Sequence, residues 1–183
     1  MHENFMSNIV FIATSLDGYI ADKNNGIDWL TVMPHADDMY MSFEQHMKNI
    51  DALVMGRNTY ELVVNFGGEW PYDKPVFVLS NSLTEVADKC RRKVSLINGE
   101  LKEIVSELAK QGYKNLYIDG GVTIQNFLKQ DLIDEMIITT VPVLLGGGIP
   151  LFGSLGESMK FKGIASHCDS VGMTQHHFVK VKQ

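Results

Sequence analysis

The segment Leu116-Tyr117-Ile118-Asp119-Gly120-Gly121 is typical of a short buried strand that runs directly into two glycines. The spacing of Ile124, Phe127 and Leu128 then predicts a helix. A strand that ends in glycines before a helix leaves free backbone N–H groups at the positive end of the helix dipole. Such a junction is a ready site for a phosphate, although glycine alone also explains a simple turn.

Two more strands end in a glycine and extend the pattern. The apolar run Ile9-Val10-Phe11-Ile12-Ala13 leads to Gly18, and Ala52-Leu53-Val54-Met55 leads to Gly56. In an open α/β sheet the ligand binds beyond the carboxyl ends of the strands, where such junctions meet. The lysine-containing P-loop and the Gly-x-Gly-x-x-Gly motif are both absent, so the two standard nucleotide fingerprints do not apply.

Strands and helices alternate along the rest of the chain, which is typical of an α/β sheet. The patterns predict strands at 76–79, 94–97 and 136–141, helices at 37–49 and 100–111, and antiparallel strands around 160–167 and 174–182. No linker, repeat or low-complexity segment interrupts the 183 residues. We therefore predict one domain over residues 1–183.

Composition excludes several classes of protein. Apolar residues make up 45% and charged residues 21%, which is typical of a folded globular chain, and the formal charge of −6 disfavours nucleic-acid binding. No apolar run is long enough to span a membrane, and no secretory signal is present, so we expect a cytoplasmic protein without a membrane partner. The two cysteines, Cys90 and Cys168, indicate a reducing compartment. The six scattered histidines lack the spacing of metal ligands, so no metal is expected.

Taken together, these segments resemble the dihydrofolate reductase-like superfamily, and most closely the bacterial relatives of the reductase domain of riboflavin biosynthesis, RibD. The resemblance rests on an ordered set of six motifs, namely Ala13-Thr14-Ser15-Leu16-Asp17-Gly18-Tyr19-Ile20-Ala21, Val54-Met55-Gly56-Arg57-Asn58-Thr59-Tyr60-Glu61, Pro75-Val76-Phe77-Val78-Leu79-Ser80, Leu116-Tyr117-Ile118-Asp119-Gly120-Gly121, Leu132-Ile133-Asp134-Glu135 and Val141-Pro142-Val143-Leu144-Leu145-Gly146. It implies a three-layer α/β/α fold with a mixed, mostly parallel sheet and a C-terminal antiparallel pair.

The resemblance further implies an NADPH site along the carboxyl edge of the sheet. Residues Gly56, Arg57, Asn58 and Thr59 would open a helix against the cofactor, with Arg57 near the 2′-phosphate, a group that a guanidinium fits well. A surface arginine paired with a nearby acid is the alternative for Arg57. The remaining implied cofactor residues are Leu79, Ser80, Asn81 and Ser82 at the adenosine, Gly120, Gly121, Val122 and Thr123 at the pyrophosphate, and Ala13 and Ile20 at the nicotinamide.

Hydride transfer to a small planar heterocycle, pteridine-like or aminopyrimidinone-like, is the implied reaction, as in 5-amino-6-(5-phosphoribosylamino)uracil reductase or dihydrofolate reductase. Such a reaction needs a proton donor near the acceptor atom. Asp38 is the leading candidate for that acid, with Asp37 or Tyr40 in its place if the alignment slips, and Asp17 is the rival. Alternatively, Asp38 favours a helix N-terminus and Asp17 forms a turn.

Tyr40 is also a candidate for substrate contact. Three further residues are candidates for substrate contact or for a structural role. Trp70 and Tyr72 could wall the pocket by stacking on a heterocycle or could anchor their loop. Thr139 matches a position at which relatives hydrogen-bond the substrate, and strand packing explains it equally well.

Two other functions remain open at this stage. One is an NADP(H)-binding protein of the same fold without catalytic turnover. The other is a structural dimer, because relatives pair through sheet edges, and we expect a homodimer in either case.

Overall fold

The computed structural model describes residues 6–30 and 40–181, which form ten strands and four helices. The strands are β1 (Ser7–Ser15), β2 (Tyr19–Ala21), β3 (Ala52–Gly56), β4 (Val76–Leu79), β5 (Val94–Ile97), β6 (Asn115–Asp119), β7 (Glu135–Val141), β8 (Ile149–Pro150), β9 (Phe161–Cys168) and β10 (Thr174–Lys180). The helices are α1 (Phe43–Lys48), α2 (Arg57–Asn65), α3 (Leu101–Lys110) and α4 (Gly121–Lys129), and single 3-10 turns lie at Asp28–Leu30 and Asp88–Cys90.

Eight of these strands form one mixed sheet in the order β5-β4-β3-β6-β1-β7-β10-β9. The strands from β5 to β7 in that order are parallel, and β10 runs antiparallel to both β7 and β9. Strands β2 and β8 form a separate antiparallel pair. The predicted mostly parallel sheet with a C-terminal antiparallel pair is confirmed.

Helices cover both faces of the sheet, because its central strands are apolar on both sides. All four residues 52–55 of β3 are fully buried, with Ala52 and Val54 in one core cluster and Leu53 and Met55 in the other. The first cluster includes apolar residues of α3 and α4, and the second includes residues that α1 and α2 contribute. The predicted three-layer α/β/α arrangement is therefore confirmed. No helix in the described ranges is long and apolar enough to cross a membrane.

The helix predicted over 37–49 begins later than its apolar spacing indicates. Ser42 is its N-cap, and it forms a capping box with Gln45, in which the Gln45 N–H donates to Ser42 Oγ at 3.2 Å and the Ser42 N–H donates to Gln45 Oε1 at 2.8 Å. This reciprocal pair of hydrogen bonds fixes the start of α1 at Phe43. The prediction from the apolar spacing was therefore wrong about where the helix begins.

His46 fastens α1 to the sheet. Its side chain is 2% exposed, and its ring stacks on Phe11 with centroids 4.6 Å apart and meets Tyr117 edge-on at 4.9 Å. Burial lowers the pKa of His46 from 6.5 to about 4, because the charged imidazolium would lose its hydration. The ring is therefore neutral in the folded protein at neutral pH.

Replacement of His46 by Phe is expected to reduce the sensitivity of the fold to acid. The unfolded chain binds a proton near pH 6.5 and the folded chain only near pH 4, so the stability that depends on the neutral ring is lost as the pH falls through that interval. Urea unfolding at pH 7 and at about pH 4.5 should show that the wild type loses on the order of 2 kcal/mol more than His46→Phe. His176→Phe is the control and should behave as the wild type does. An equal acid-induced loss in His46→Phe and the wild type would contradict this account.

Candidate functional site

Strands β1 and β6 stop pairing before their carboxyl ends. Their parallel register runs only to Ile9 and Tyr117, whereas β1 continues beside β7 as far as Ser15. Strand β6 continues beside β3 as far as Asp119. Near the end of the register the Tyr117 hydroxyl donates a 3.0 Å hydrogen bond to the Phe11 carbonyl. Ligands of open α/β sheets bind in a crevice of this kind, beyond the carboxyl ends of the strands.

Two helices begin at the rim of this cleft with uncapped ends. Helix α2 follows β3 with Gly56 as its N-cap, and α4 follows β6 with Gly120 as its N-cap. Neither glycine has a side chain that could accept hydrogen bonds from the N–H groups of the first helical turn. Those N–H groups and the positive ends of both helix dipoles are therefore available to an anion.

The two helix ends interlock through matching Gly-x-x-Thr sequences. A Cβ atom on Gly120 would overlap the Thr59 hydroxyl oxygen, and a Cβ atom on Gly56 would lie 2.8 Å from the Thr123 hydroxyl oxygen. Gly120 also has a φ of +92°, which favours glycine. Each helix thus places the threonine of its first turn against the glycine that opens the other helix. Four of the predicted cofactor residues therefore meet where the two helices begin, namely Gly56, Thr59, Gly120 and Thr123.

The predicted nicotinamide residues lie on the strands beside this point. A Cβ atom on Gly121 would be 2.7 Å from Ile20 Cδ1, so the Ile20 side chain of β2 covers the start of α4. Ala13 lies on β1 opposite Thr139 of β7. Asn58 and Val122, the second residues of α2 and α4, are exposed.

Arg57 lies at the first position of α2 and already has two partners. Its Nε donates to Glu61 Oε1 at 2.6 Å, and its Nη1 donates to Ser82 Oγ at 2.8 Å. Ser80 holds the loop that carries Ser82, because its hydroxyl accepts from the N–H groups of Ser82 and Leu83. The structure therefore brings Arg57 and Ser82 together, and it also shows the ion pair with a nearby acid that was the alternative for Arg57.

A cavity of about 390 Å³ lies at the ends of β4 and β5. Leu79, Ser80 and Asn81, which were predicted to line the adenosine, contribute to its wall. Asn98 and Asn126, which sequence reasoning missed, also line it. Their amide groups offer both donors and acceptors of the kind that a purine edge needs.

The aromatic loop after α2 packs against itself and the sheet. The Trp70 ring lies between Tyr60, with centroids 6.0 Å apart, and Tyr72, which it meets edge-on at 5.4 Å. This packing matches the loop-anchoring role that was the alternative for Trp70. Burial raises the pKa of Tyr72, and the nearby Asp119 carboxylate raises it further.

Asp119 lies in one of the sequence motifs given above, but it was not among the predicted acids. Burial raises its pKa to about 6, although hydrogen bonds from the Gly120 N–H and the Tyr117 hydroxyl act in the opposite direction. The single hydroxyl hydrogen of Tyr117 can serve either the Phe11 carbonyl or Asp119, because a carbonyl only accepts. Asp119 is therefore a carboxyl that can hold a proton close to neutral pH at the rim of the cleft. The available signal was its position, between a buried strand and two glycines.

Gln175 of β10 is another residue that the sequence analysis did not identify, and it orients Thr139. Its side chain is 1% exposed, and its amide accepts from the Met41 N–H at 2.8 Å and donates to the Met41 carbonyl at 3.1 Å. The same Nε2 donates to Thr139 Oγ1 at 3.0 Å. Because the Met41 backbone fixes the orientation of the amide, Thr139 accepts this bond and keeps its own hydroxyl hydrogen as a donor.

Asp17 is exposed and ties two loops together. Its carboxylate accepts from Ser15 Oγ at 2.7 Å, from the Leu145 N–H at 3.1 Å and from the Gly146 N–H at 2.8 Å. The bond from Ser15 and the two backbone bonds lower the pKa of Asp17, so the carboxylate form is favoured. This geometry fits the structural role considered for Asp17 better than that of a proton donor.

The remaining candidates for the proton donor are Asp37, Asp38 and Tyr40. Asp37 and Asp38 lie outside the described residues. Tyr40 is exposed, and its ring centroid is 6.3 Å from that of His177 on β10. In the described part of the chain no cluster of three or more His, Cys, Asp or Glu side chains could hold a metal ion.

Comparison with known proteins relates this arrangement to reductases. The chain is 38% identical over 157 residues to the Bacillus subtilis protein YwjB, whose function is uncharacterized, covering 84% of this chain and 87% of YwjB. It is 53% identical to a crystal structure from Shewanella sp. PV-4, provisionally named a riboflavin biosynthesis protein, with a TM-score of 0.92 and coverage of 97% and 100%. Dihydrofolate reductase from Enterococcus faecalis, solved with NADP(H), shares the fold at 15% identity and a TM-score of 0.69, with coverage of 97% and 99%.

A family model covers almost the whole chain. The model of the RibD C-terminal domain matches residues 8–173, which include both Gly-x-x-Thr turns and the acid between β6 and α4. With the sheet order and helix layers described above, this match shows that the chain belongs to the RibD C-terminal domain family and has a reductase-like fold.

Proposed function

We propose that the protein is an NADPH-dependent reductase that transfers a hydride to a small planar heterocycle of the pteridine or aminopyrimidinone class. The observation that carries this proposal is the meeting of two uncapped helix N-termini beside a cleft that holds a partly buried acid, Asp119. Location in the cytoplasm and pairing into a homodimer stay predictions from the sequence.

The residues present fit a phosphorylated dinucleotide. The contact between the turns at Gly56 and Gly120 holds two uncapped helix N-termini together, and a pyrophosphate could accept hydrogen bonds from the backbone N–H groups of both first turns. Arg57 and Ser82 would hold the 2′-phosphate, the cavity beside Ser80 would hold the adenosine, and Ala13 and Ile20 would border the nicotinamide. When bound, the cofactor supplies the hydride, and the protein must position the acceptor and exclude water.

The proton of the reaction is assigned to Asp119 in this proposal. A carboxyl with a pKa of about 6 is protonated in a useful fraction of molecules near neutral pH. The Asp119 carboxyl would deliver its proton to the acceptor, and Thr139 Oγ1 would donate a hydrogen bond to an acceptor atom of the substrate. Because Asp119 loses its proton above about pH 6, turnover that depends on it should decline as the pH rises.

Replacement of Gly120 by Ala is expected to weaken NADPH binding at least tenfold, because the added Cβ overlaps Thr59 and separates the two helix ends. Gly112→Ala is the matched control. Gly112 has a φ of +95° and nothing within 4 Å of its Cβ position, so the substitution adds similar backbone strain away from the site. Both variants should melt earlier than the wild type, but only Gly120→Ala should lose affinity in calorimetric titrations. Equal affinities for NADPH would contradict the role of the interlock.

Asp119→Asn is expected to be more stable than the wild type at pH 8 but not at about pH 4. The folded-state pKa of Asp119 lies above its ordinary value of 3.8, so the wild type loses stability as the pH rises through about 6. The difference between the free energies of unfolding should grow by on the order of 2 kcal/mol over this range. The exposed Asp73→Asn serves as the control. A difference that does not change with pH would contradict a raised pKa of Asp119 in the folded protein.

Turnover itself is tested by NADPH oxidation in the presence of dihydrofolate or 5-amino-6-(5-phosphoribosylamino)uracil. We expect steady oxidation with at least one acceptor and a decline above about pH 6. Asp119→Asn should oxidise NADPH much more slowly and without that decline, because it lacks the proton donor. Tight NADPH binding without oxidation by any pteridine or aminopyrimidinone would instead support a binding protein without turnover. Failure to bind NADPH would refute both functions.

A further inference from the structure

Glu61 stands one helical turn after Arg57 and holds its guanidinium. The Glu61 Oε1 atom lies 2.6 Å from Arg57 Nε, and both side chains are nearly half exposed, at 41% and 46%. The ion pair therefore lies at the surface of the site, where a ligand phosphate could reach the same guanidinium.

Stabilisation of the helix does not explain this pair. Arg57 is the first residue of α2, where its positive charge opposes the helix dipole. An acid that follows its basic partner by four residues is also the less favourable order on a helix. The Glu44–Lys48 pair of α1 shows the favourable order at a similar separation of 3.0 Å. The charge of Arg57 at this position is better explained by a ligand than by α2.

The ion pair with Glu61 limits how many N–H hydrogens the Arg57 guanidinium can donate to that ligand. Arginine has five N–H hydrogens, and Glu61 and Ser82 each accept one of them among the described residues, which leaves three. A phosphate that bound the remaining hydrogens would also meet the negative charge of Glu61 beside it. Like charges at this separation repel, and the repulsion grows with the charge of the phosphate.

From this geometry we infer that Glu61 determines how strongly the protein prefers NADPH to NADH, by weakening the grip of Arg57 on a 2′-phosphate. The inference rests on the proposed function. NADH has a hydroxyl in place of the 2′-phosphate, so Glu61 does not oppose it in the same way. The wild-type protein therefore binds both dinucleotides, with only a modest preference for NADPH.

Dissociation constants for NADPH and NADH measured by calorimetry test this inference. Glu61→Gln keeps the size of the side chain and removes its charge, and it should tighten NADPH binding about threefold to fivefold and leave NADH binding within about twofold. Glu44→Gln, which neutralises the acid of the α1 pair, should change neither constant. The gain of Glu61→Gln should shrink at high salt, because partly exposed charges are screened.

The same substitution of Glu61 in an Arg57→Ala protein tests whether Glu61 acts through Arg57. If Glu61 acts through Arg57, Glu61→Gln should no longer improve NADPH binding once the guanidinium is absent. Melting temperatures identify any variant that fails to fold, and Glu61→Ala provides a second neutral residue that should shift the preference in the same direction.

The outcomes distinguish this inference from the proposed function. If the wild type binds NADPH and NADH but Glu61→Gln shifts both equally or neither, the role of Glu61 is wrong and the dinucleotide site stands. If the wild type binds neither dinucleotide, the proposed function fails and this inference fails with it.

Discussion

The contact between two Gly-x-x-Thr turns is the constraint on which the candidate site depends. Strands β3 and β6 are parallel neighbours whose register pairs Met55 with Asp119, so the helices that follow them start at the same level. These helices pack on opposite faces of the sheet, and their N-termini meet only because Gly56 and Gly120 lack side chains. Any residue with a Cβ atom at either position would push the two helix N-termini apart. The backbone N–H groups of the two helices would then no longer converge on one ligand.

The groups proposed for the chemistry lie on one side of that contact. Beyond the point where β1 and β6 stop pairing, Asp119 and Tyr117 face the same side of the sheet as α1, with His46 packed against Tyr117. Burial pushes the pKa of Asp119 upward and that of His46 downward, so each pKa shifts toward the neutral form of its group. The charged residues Arg57 and Glu61 lie instead at the exposed surface of α2. In the proposed reaction the heterocycle would lie near Asp119, and the phosphorylated end of the dinucleotide would lie near Arg57.

Apolar runs, helical spacing and glycine junctions predicted much of the fold, because each depends only on residues that are close together in the sequence. The apolar run of β4 and the periodic spacing of α3 predicted nearly the bounds that the structure has, and the glycine junctions marked the starts of α2 and α4. The start of α1 was missed because Ser42 caps it, which overrides apolar spacing. Gln175 was missed because its partner Met41 lies 134 residues away, and Asp119 because its raised pKa depends on burial that only the tertiary structure supplies. The assignment of Asp38 concerns residues outside those described.

A crystal structure of the protein with NADP⁺ bound would show whether the two helix N-termini together bind a dinucleotide. We expect the pyrophosphate oxygens to accept hydrogen bonds from backbone N–H groups in the first turns of both α2 and α4. Thr59 and Thr123 should keep their contacts with the opposing glycines. A dinucleotide bound elsewhere on the protein, or one whose pyrophosphate touches neither helix end, would contradict this role of the Gly-x-x-Thr turns.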